Sequence, residues 1–353
     1  MPNIPAQRQR VYIPSEGVIT LVTEATPVPE PQEALVATTL SGVCGSDTHA
    51  LHGQHPAIPL PYYPGHEAVG VVVAVGANVT SVAVGDRVTP EPTLPCGNCK
   101  MCTTGRENVC QNLQFFGCGF REAGMADNFT CDAARLHKVP EEFTDHQAAL
   151  IEPLATPVHA TSLAGDLKGK AVAILGSGTI GLLMLAAARA AGARRIVVTD
   201  VLPDKRALAE RAGADATVDA TDPEVAAKVR EALGEAADAV FDCVAIQPTV
   251  DAAFAMVDKG SVVVIVGVPA KPVMVDIPRM QDAQIRLQGA ATYLAEDYRR
   301  AMEIIGSGAV DAEFMITSEY PVEQASEAFA ASESGHEVKV LIRIGAPVVK
   351  AQA

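Results

Sequence analysis

A chain of 353 residues is long enough for two domains, and a hydrophobic fraction of 48% is sufficient for packed cores. The formal net charge of −15 argues against the basic surface that nucleic acid or an anionic membrane would require. The amino terminus lacks the apolar region of a signal peptide, and the best apolar run, 180–188, is too short to span a membrane. We therefore expect a soluble, cytoplasmic protein with neither nucleic acid nor membrane as a partner.

The first third of the chain is rich in short apolar runs. Residues 11–40 alternate β-branched runs with proline- and glycine-rich turns, which predicts the short strands of a β-rich unit. The stretch GVCGSDTH at 42–49 follows the second run, so we expect it on a loop that leaves a strand. Within six residues it combines the thiol of Cys44, the hydroxyl of Ser46 and the imidazole of His49.

A second stretch with metal-binding side chains follows sixteen residues later. His66 and Glu67 could join the thiolate of Cys44, and three protein ligands with one open position are typical of catalytic zinc. Ser46 and His49 could then pass a proton from the substrate towards water. The alternative is a buried structural cysteine beside two surface histidines, because free cysteine is among the most buried residue types.

Four of the eight cysteines lie within fifteen residues. Cys96, Cys99, Cys102 and Cys110 have the spacing C-x2-C-x2-C-x7-C, which lets neighbouring thiolates share one tetrahedral centre. Four sulfur ligands leave no open position, so we predict a structural zinc in a lobe spanning about 94–112. An iron–sulfur cluster is the alternative, but its fourth cysteine is usually followed by proline, whereas Gln111 stands here. The remaining cysteines, 118, 131 and 243, are interpreted as small apolar residues.

A helical pattern covers 145–163 and contains a carboxylate among apolar neighbours. Glu152 follows Ala148, Ala149, Leu150 and Ile151. A carboxylate in such a place needs a partner or access to water. The residues leave two possibilities open: Glu152 faces solvent beside Pro153, or it points at the metal.

The second half opens with a dinucleotide-binding pattern. The apolar run 170–175 predicts a buried strand, GSGTIG at 176–181 matches G-x-G-x-x-G, and a helical run follows. The glycines permit a tight turn and the approach of a pyrophosphate to the helix N-terminus. Asp200 ends the next strand, nineteen residues after Gly181, where an acid can bind the ribose 2′-hydroxyl. Because Asp200 would repel a 2′-phosphate, the pattern favours NAD over NADP, although Lys205 and Arg206 lie nearby.

Strands and helices then alternate as far as residue 289. Strands are predicted near 216–219, 239–244, 261–268 and 284–289, with helices over 204–212, 222–233 and 248–257 between them. This alternation is typical of a doubly wound parallel sheet. After it, predicted helices at 298–305 and 322–331 and strands at 314–320 and 338–344 break the pattern. We expect this tail to rejoin the first domain, which gives domains of 1–154 with 293–353, and 155–292.

The chain resembles the zinc-dependent medium-chain alcohol dehydrogenases over nearly its full length. The resemblance lies in GVCGSDTH, GHEAVGVVVAVGANV, GDRV, the four-cysteine lobe, EPLATPVHA and GSGTIG. The GHE form, the glutamate of EPLA and the lack of a third catalytic cysteine are similar to the polyol, butanediol and threonine dehydrogenase branch. The resemblance implies an α/β protein with a GroES-like catalytic domain, a Rossmann domain, an active site between them, and a homotetramer or homodimer.

The resemblance also assigns roles. Cys44 and His66 match zinc ligands, Glu67 matches the third, and Glu152 would lie beside the zinc; which glutamate binds directly stays open. Ser46 and His49 match the proton relay. The cofactors implied are two zinc ions per subunit and NAD, and the substrate is a small alcohol or polyol whose hydroxyl the zinc polarises before hydride passes to NAD. The cofactor-binding residues implied are Gly176, Gly178, Thr179, Ile180, Gly181, Asp200, Val244, Val266 and Val268.

One departure from the family concerns the substrate. Some polyol dehydrogenases carry an arginine in the stretch that here reads GAATYLAE at 289–296, and this chain has none. We therefore expect a secondary alcohol or polyol, with butanediol-like or threonine-like activity as an alternative. Two other classes remain open at this point: a zinc-free quinone-type reductase and a non-catalytic NAD-binding protein.

Overall fold

The computed structural model describes residues 4–345 and divides into two compact units. Unit 1 runs to Glu152 and resumes at Ala312, and unit 2 runs from Pro153 to Asp311. The chain returns to unit 1 later than the position 293 expected from the sequence. The reason is that the helix at 295–306 packs against the helix at 179–190 of unit 2.

Unit 1 is built on strands that are mostly antiparallel. Its strands are β1 Gln7–Ser15, β2 Val18–Ala25, β3 Glu33–Val43, β4 Glu67–Val75, β5 Arg87–Pro90, β6 Thr93–Leu94, β7 Gln114–Phe115, β8 Asn128–Asp132 and β9 Leu136–Lys138. Its first helices are α1 Gly45–Leu51, α2 Lys100–Thr103 and α3 Asp145–Ala149, with single 3-10 turns at 107–109 and 133–135.

The main sheet of unit 1 places β3 between β4 and a strand from the far end of the chain. The order is β16-β17-β3-β4-β5-β9, with β8 also paired to β3, where β16 is Ile316–Pro321 and β17 is Lys339–Arg343. β3 is buried along nearly its whole length because apolar side chains cover both of its faces. The stretch at 44–49, which the sequence predicts to contribute to a metal site, begins where this central strand ends.

Unit 2 is a six-stranded, wholly parallel sheet flanked by helices. Its strands are β10 Ala171–Leu175, β11 Arg195–Asp200, β12 Ala216–Asp219, β13 Ala237–Asp242, β14 Val257–Ile265 and β15 Arg286–Gly289. Its helices are α4 Ile151–Ala164, α5 Thr179–Ala190, α6 Pro203–Arg211, α7 Val225–Leu233, α8 Gln247–Met256, α9 Ile277–Asp282 and α10 Ala295–Gly306. Where the chain returns to unit 1 it forms α11 Ala312–Met315, a 3-10 turn at 322–324 and α12 Ala325–Glu333, in addition to β16 and β17.

The strand order of unit 2 is β12-β11-β10-β13-β14-β15. From β10 the chain adds β11 and β12 on one side, and it then adds β13, β14 and β15 on the other side. The topological switch point, where doubly wound sheets bind ligands, therefore lies between β10 and β13. All five residues of β10 are buried, so a continuous apolar run rather than an alternating one marks this strand. The predicted α/β fold class, with a β-rich unit and a doubly wound parallel sheet, is confirmed.

Local differences from the sequence prediction have simple causes. The helix expected over 145–163 is two helices, α3 and α4, which are separated at Leu150. The strand expected over 314–320 starts only at Ile316, because α11 occupies the residues before it. Within residues 4–345, no helix is both long enough and apolar enough to cross a membrane.

Candidate active site

The stretch after Cys44 forms a short helix rather than the loop expected from the sequence. Cys44 is the N-terminal cap of α1, with extended backbone angles, and the helix starts at Gly45. Ser46 and His49 are three residues apart on this helix, so they share one face. Ser46 is partly buried and His49 is exposed. The helix therefore presents a thiol, a hydroxyl and a solvent-facing imidazole in that order.

Asp47, which the sequence analysis does not include among the site residues, stabilises the start of α1. Its Oδ2 accepts a hydrogen bond from the amide of Cys44 at 3.1 Å, and its backbone oxygen accepts one from the hydroxyl of Tyr62. Its Oδ1 is buried without a hydrogen-bond partner and lies 3.8 Å from Nδ1 of His66. Complete burial raises the pKa of Asp47 to about 6, against the opposing effect of nearby His66.

His66 and Glu67 stand at the start of β4, the strand next to β3. Register pairs Glu67 with Gly42, two residues before Cys44, so the sheet brings the two stretches together. One ligand atom each from Cys44, His66 and Glu67 lies within 4.8 Å of the others. This thiolate, imidazole and carboxylate set suits zinc and leaves a further coordination position for another group.

Glu152 is buried, and it lies outside that group of three. It stands in the first turn of α4 with 6% of its surface exposed, so the solvent-facing alternative does not apply. It is close enough to Lys339 to contribute to the raised pKa of that lysine. The arrangement accordingly favours Glu67 as the protein's third ligand, with Glu152 as a nearby carboxylate.

Cys118, interpreted from the sequence as a small apolar residue, contacts a metal-site side chain. Its Sγ lies 3.4 Å from Nδ1 of His66. Burial disfavours the charged imidazole, but the neighbouring Cys118, Asp47 and Cys44 outweigh it and raise the pKa of His66 well above its usual value. A metal at this site would therefore displace a proton from His66 when it binds.

Lys339 of β17 completes the surroundings of the three ligand residues. Its ammonium group forms an ion pair with Oε2 of Glu67, and both side chains are 2% exposed. It also donates to the backbone oxygen of Val43 at 3.0 Å. Burial opposes the charge, but Glu67, Cys44 and Glu152 raise the pKa of Lys339 above its ordinary value.

The four thiols of the lobe fit a closed tetrahedral zinc site. The Sγ–Sγ distances are 3.5 Å for Cys99–Cys102, 3.5 Å for Cys96–Cys110 and 3.8 Å for Cys99–Cys110. Zinc–sulfur bonds of about 2.3 Å in a regular tetrahedron separate the sulfur atoms by about 3.8 Å. Disulfide bonds would require about 2.05 Å, and all four cysteines are free.

Backbone amides support the same interpretation of the lobe. Hydrogen bonds from the amides of Cys102 and Gln111 lower the pKa of Cys99 to about 6, which favours the thiolate that metals bind. The amides of Cys96 and Asn112 both donate to Sγ of Cys110 at 3.3 Å. Donors aimed at sulfur stabilise negative charge, so the lobe suits a metal rather than neutral thiols.

A buried ionic cluster ties this lobe to the sheet of unit 1. Arg135 donates to Glu107, at the 3-10 turn before Cys110, and to Glu91, which follows β5 and is 1% exposed. Glu91 also contacts His137 and Thr93. Burial would raise the pKa of Glu91, but His137, Thr93 and Arg135 together lower it below the ordinary value.

In unit 2 the glycine-rich turn has the geometry required for close approach of a phosphate. Gly176 follows β10 with φ of +90°, which L side chains rarely adopt, and Gly178 caps α5, whose first residues are Thr179 and Ile180. A Cβ on Gly181 would overlap the backbone oxygen of Gly176. The helix N-terminus therefore packs directly on the turn, and a helix N-terminus in this position suits the binding of an anion.

Asp200 stands at the end of β11, beside the same turn. Its Oδ2 accepts the amide of Ser177 at 2.8 Å and the hydroxyl of Ser177 at 3.0 Å, and its Oδ1 accepts the amide of Leu202. Arg206 donates to the backbone oxygen of Asp200 and pairs with Asp219. The carboxylate is thus held in position by the glycine-rich turn, while the guanidinium of Arg206 is directed to other acceptors.

The valines expected at the cofactor stand after β13 and β14. Val244 and Val268 are 38% and 47% exposed, whereas Val266 is buried. Asp242 shapes this region, because its carboxylate accepts the amides of Val244 and Ala245 and the hydroxyl of Thr249. Two exposed valines at strand ends beside the glycine-rich turn can form an apolar floor for a flat ring.

Family models match both units. The alcohol dehydrogenase GroES-like domain matches residues 30–141, and the zinc-binding dehydrogenase domain matches 179–307. The chain belongs to the zinc-dependent medium-chain alcohol dehydrogenases. Together the two models cover more than half of the sequence, so the resemblance inferred from the motifs is confirmed, and the chain is an oxidoreductase.

Individual relatives span nearly the whole chain. Sorbitol dehydrogenase from Gallus gallus is 32% identical over 345 residues, covering 96% of each chain. A probable D-xylulose reductase A from Aspergillus clavatus is 32% identical over 338 residues, covering 93% of this chain and 94% of the relative. A crystal structure of a zinc-binding dehydrogenase from Sinorhizobium meliloti, bound to NADP, has a TM-score of 0.89 at 32% identity and covers 96% of this chain and 100% of its own.

Three side chains of the metal site were missed from the sequence. Asp47 had a local pattern, because an acid three residues after a helix cap commonly binds the cap amide. Lys339 had a weaker one, a lysine inside the apolar run VKVLIRI. Cys118 had none, because its contact with His66 depends on the fold alone.

Proposed function

We propose that this protein oxidises a secondary alcohol or polyol with NAD, using a zinc held by Cys44, His66 and Glu67. The observation that carries the proposal is the convergence of these three ligand atoms within 4.8 Å, beside a helix that carries a hydroxyl and an exposed imidazole. A closed second zinc site at Cys96, Cys99, Cys102 and Cys110 maintains the lobe of unit 1.

The protein's own groups have separate tasks in this reaction. When bound, zinc acts as a Lewis acid on the substrate hydroxyl, and NAD accepts the hydride. Ser46 takes the hydroxyl proton and passes it to His49, whose exposed imidazole releases it to water. Asp47 holds Cys44 at the start of α1, so the thiolate and the relay keep a fixed spacing.

The substrate class is a secondary alcohol or polyol rather than a simple primary alcohol. The support is the glutamate-containing metal site, together with relatives described as sorbitol dehydrogenase and probable D-xylulose reductase. The stretch at 289–296 offers Thr292 and Tyr293 but no arginine. We therefore place small diols and threonine beside the C4–C6 polyols as candidate substrates.

We propose NAD as the preferred dinucleotide. Asp200 would accept the ribose 2′-hydroxyl and repel a 2′-phosphate. Arg206, the nearest candidate for a phosphate partner, is directed to Asp219 and to backbone oxygens. The neighbour from Sinorhizobium meliloti is bound to NADP, and kcat/KM for NAD and for NADP tests the preference of this chain.

Compartment and assembly complete the proposal. We propose the cytoplasm, because eight free cysteines and thiolate-bound zinc suit a reducing environment. We propose a homotetramer or homodimer, supported by β15 at the edge of its sheet and by exposed Met274 and Ile277 nearby. Light scattering on the purified protein distinguishes these assemblies from a monomer.

The decisive experiment is a substrate panel read by NADH absorbance. It contains vicinal diols, C4–C6 polyols, threonine, simple secondary alcohols and ethanol, each with NAD and with NADP. Turnover of a secondary alcohol or polyol with NAD supports the proposal. Ethanol as the best substrate, or equal use of NADP, contradicts the corresponding part of it.

A further inference from the structure

Lys339, Gly42 and Glu67 come from three neighbouring strands of unit 1, and the side chains of Lys339 and Glu67 meet beside Gly42. Register pairs Gly42 of β3 with Glu67 of β4 on one side and with Leu341 of β17 on the other. Lys339 thus comes from a strand that is not hydrogen-bonded to the strand of Glu67. The two side chains meet across the intervening strand, where Gly42 has no side chain.

Gly42 provides the space in which this pair forms. A Cβ built on Gly42 would overlap Oε2 of Glu67 and would lie 2.8 Å from Cε of Lys339. Any larger residue at this position would push the two side chains apart. The central strand is therefore shaped to bring a positive charge to one particular carboxylate.

The ion pair is as deeply buried as the metal-site residues themselves. Lys339 and Glu67 are each 2% exposed, so water screens their interaction only weakly. The lysine is held from the other side by the backbone oxygen of Val43, next to Cys44. It cannot turn away to solvent without leaving Glu67 as an unpaired buried carboxylate, which is strongly unfavourable.

The charges around the site require such a partner. Cys44 as thiolate, Glu67, Glu152 and Asp47 bring negative charge to the surroundings of one divalent ion. Four such charges exceed the charge of the ion, and Lys339 supplies a positive charge that reduces the excess. Because the ammonium group holds Oε2 of Glu67, it also competes with a metal for the electron density of that carboxylate.

We propose that Lys339 is a positioning residue that limits how strongly Glu67 binds the catalytic zinc. It holds one oxygen of Glu67 through the gap at Gly42 and offsets part of the negative charge around the ligand set. Zinc is thereby bound less tightly than the bare ligand set would bind it. This inference rests on the proposed function, since it requires zinc at Cys44, His66 and Glu67.

The test measures zinc retention rather than turnover. Holoprotein is equilibrated with a series of zinc buffers, and the free zinc concentration at which each equivalent is half lost is recorded. Cys44→Ser identifies the catalytic equivalent, because this variant should hold only the other one. If the wild-type protein and Cys44→Ser hold equal zinc, the proposed function fails, whatever the behaviour of Lys339.

We expect Lys339→Met to hold the catalytic zinc at least tenfold more tightly than the wild type, and Lys339→Arg to stay within about threefold of it. Lys138→Met is the matched control, because it removes one positive charge from an exposed pair with Asp86 of the same unit. Its zinc retention should equal that of the wild type. The zinc at the four cysteines should be unchanged in every variant.

A double-mutant cycle tests whether Lys339 acts through Glu67, and Lys339→Gln replaces Lys339→Met in every arm, with the same expected results, if the methionine variant folds poorly. Glu67→Gln should weaken zinc retention, and adding Lys339→Met to it should change retention less than threefold, because the carboxylate that links the lysine to zinc is gone. Unchanged or weaker zinc retention in a folded Lys339→Met protein would overturn the proposal. So would an equal effect of Lys339→Met with and without Glu67.

Discussion

One oxygen of Asp200, Oδ2, accepts both the backbone amide and the hydroxyl of Ser177. Ser177 is the second residue of the glycine-rich turn, so the acid at the end of β11 is fixed relative to the place of the pyrophosphate. A carboxylate fixed in this way can discriminate between a ribose hydroxyl and a ribose phosphate. It supports the proposed preference for NAD through geometry as well as through charge.

Replacing Asp200 by glycine should reverse much of that preference. Hydrogen bonds to charged groups contribute about 1.5–3 kcal/mol, so we expect kcat/KM for NAD to fall about tenfold or more. The value for NADP should rise relative to it, because the repulsion of the 2′-phosphate is removed. Asp204→Asn is the control, since it removes an exposed carboxylate close in sequence, leaves Asp200 in place and should keep the preference for NAD. Equal use of both dinucleotides by the wild type would refute our interpretation of Asp200.

The two proposed metal sites predict distinct losses of zinc. Elemental analysis should find two zinc ions per subunit. Cys44→Ser should lose one of these ions and all turnover but should still fold, because only three protein ligands hold this ion. Cys99→Ser should lose the other and reduce stability, because a closed thiolate site contributes to folding directly. Cys131→Ala is the control, because Cys131 is a buried free cysteine outside both groups of proposed zinc ligands, and this variant should keep both ions. Iron in place of zinc in the purified protein would contradict the assignment.

The neighbours of His66 predict a graded effect on zinc affinity. Asp47→Asn should weaken retention of the catalytic zinc about ten- to a hundredfold, as is typical when a partner of a metal ligand is lost. Asp47 also accepts the amide of Cys44, so two ligands depend on it. Cys118→Ala should cost less than Asp47→Asn, because a thiol is a weak acceptor. The ranking is checked by chelator competition, and a larger loss in Cys118→Ala would show that the thiol is the main partner of His66.

The general plan of this protein could be predicted from the sequence because its strongest patterns are local. The spacing of Cys96 to Cys110 and the order of strand, glycine-rich turn, helix and acid around Gly176 each lie within about thirty residues. The position of Lys339 could not be predicted in this way. Its ion pair with Glu67 joins residues far apart in sequence, and it depends on the strand order that places β17 next to β3.

The difference between local patterns and long-range contacts also explains two smaller differences between the predicted and the observed structure. Cys44 follows an extended strand, as the sequence predicts, but the next residues form a helix of only seven residues where the sequence predicts a loop. So short a helix has little intrinsic stability and depends on tertiary packing, including the burial of Ala50 and Leu51. The sequence places the return to unit 1 at residue 293, whereas the structure places it at Ala312. The difference arises because the contact of α10 with α5 has no local sequence pattern.

The buried cluster at Glu91 predicts a dependence of stability on pH. The folded protein holds the pKa of Glu91 below its ordinary value, despite the opposing effect of burial. A carboxylate with a lowered folded pKa stabilises the protein above its unfolded pKa of about 4.3, and this contribution is lost as the pH falls through the folded pKa. Glu91→Gln should therefore lose about 3 kcal/mol at pH 7, because Arg135 and His137 lose a buried partner.

The difference between wild type and Glu91→Gln should shrink as the pH falls from 7 towards 3. Guanidinium unfolding of both proteins at matched pH values measures it, and effects of acid that are common to both cancel in the difference. Glu141→Gln replaces an exposed glutamate of the same unit and should shift the midpoint little. A difference that stays constant over this range would show that the charge of Glu91 contributes nothing.

His49 is predicted to be the outer end of a proton relay rather than a zinc ligand. It is exposed, it lies one helical turn from Ser46, and it is absent from the group of ligand atoms formed by Cys44, His66 and Glu67. Imidazole exchanges protons near neutral pH, and general-base assistance is typically worth about a hundredfold or more in rate. His49→Gln should keep both zinc ions and NAD binding, oxidise alcohol slowly below neutral pH, and recover partly as hydroxide replaces the imidazole. His66→Gln should not recover at any pH, because it loses the metal. The measurement is the zinc content and the pH profile of turnover for both variants. Loss of a zinc ion from His49→Gln would show that His49 is a ligand instead.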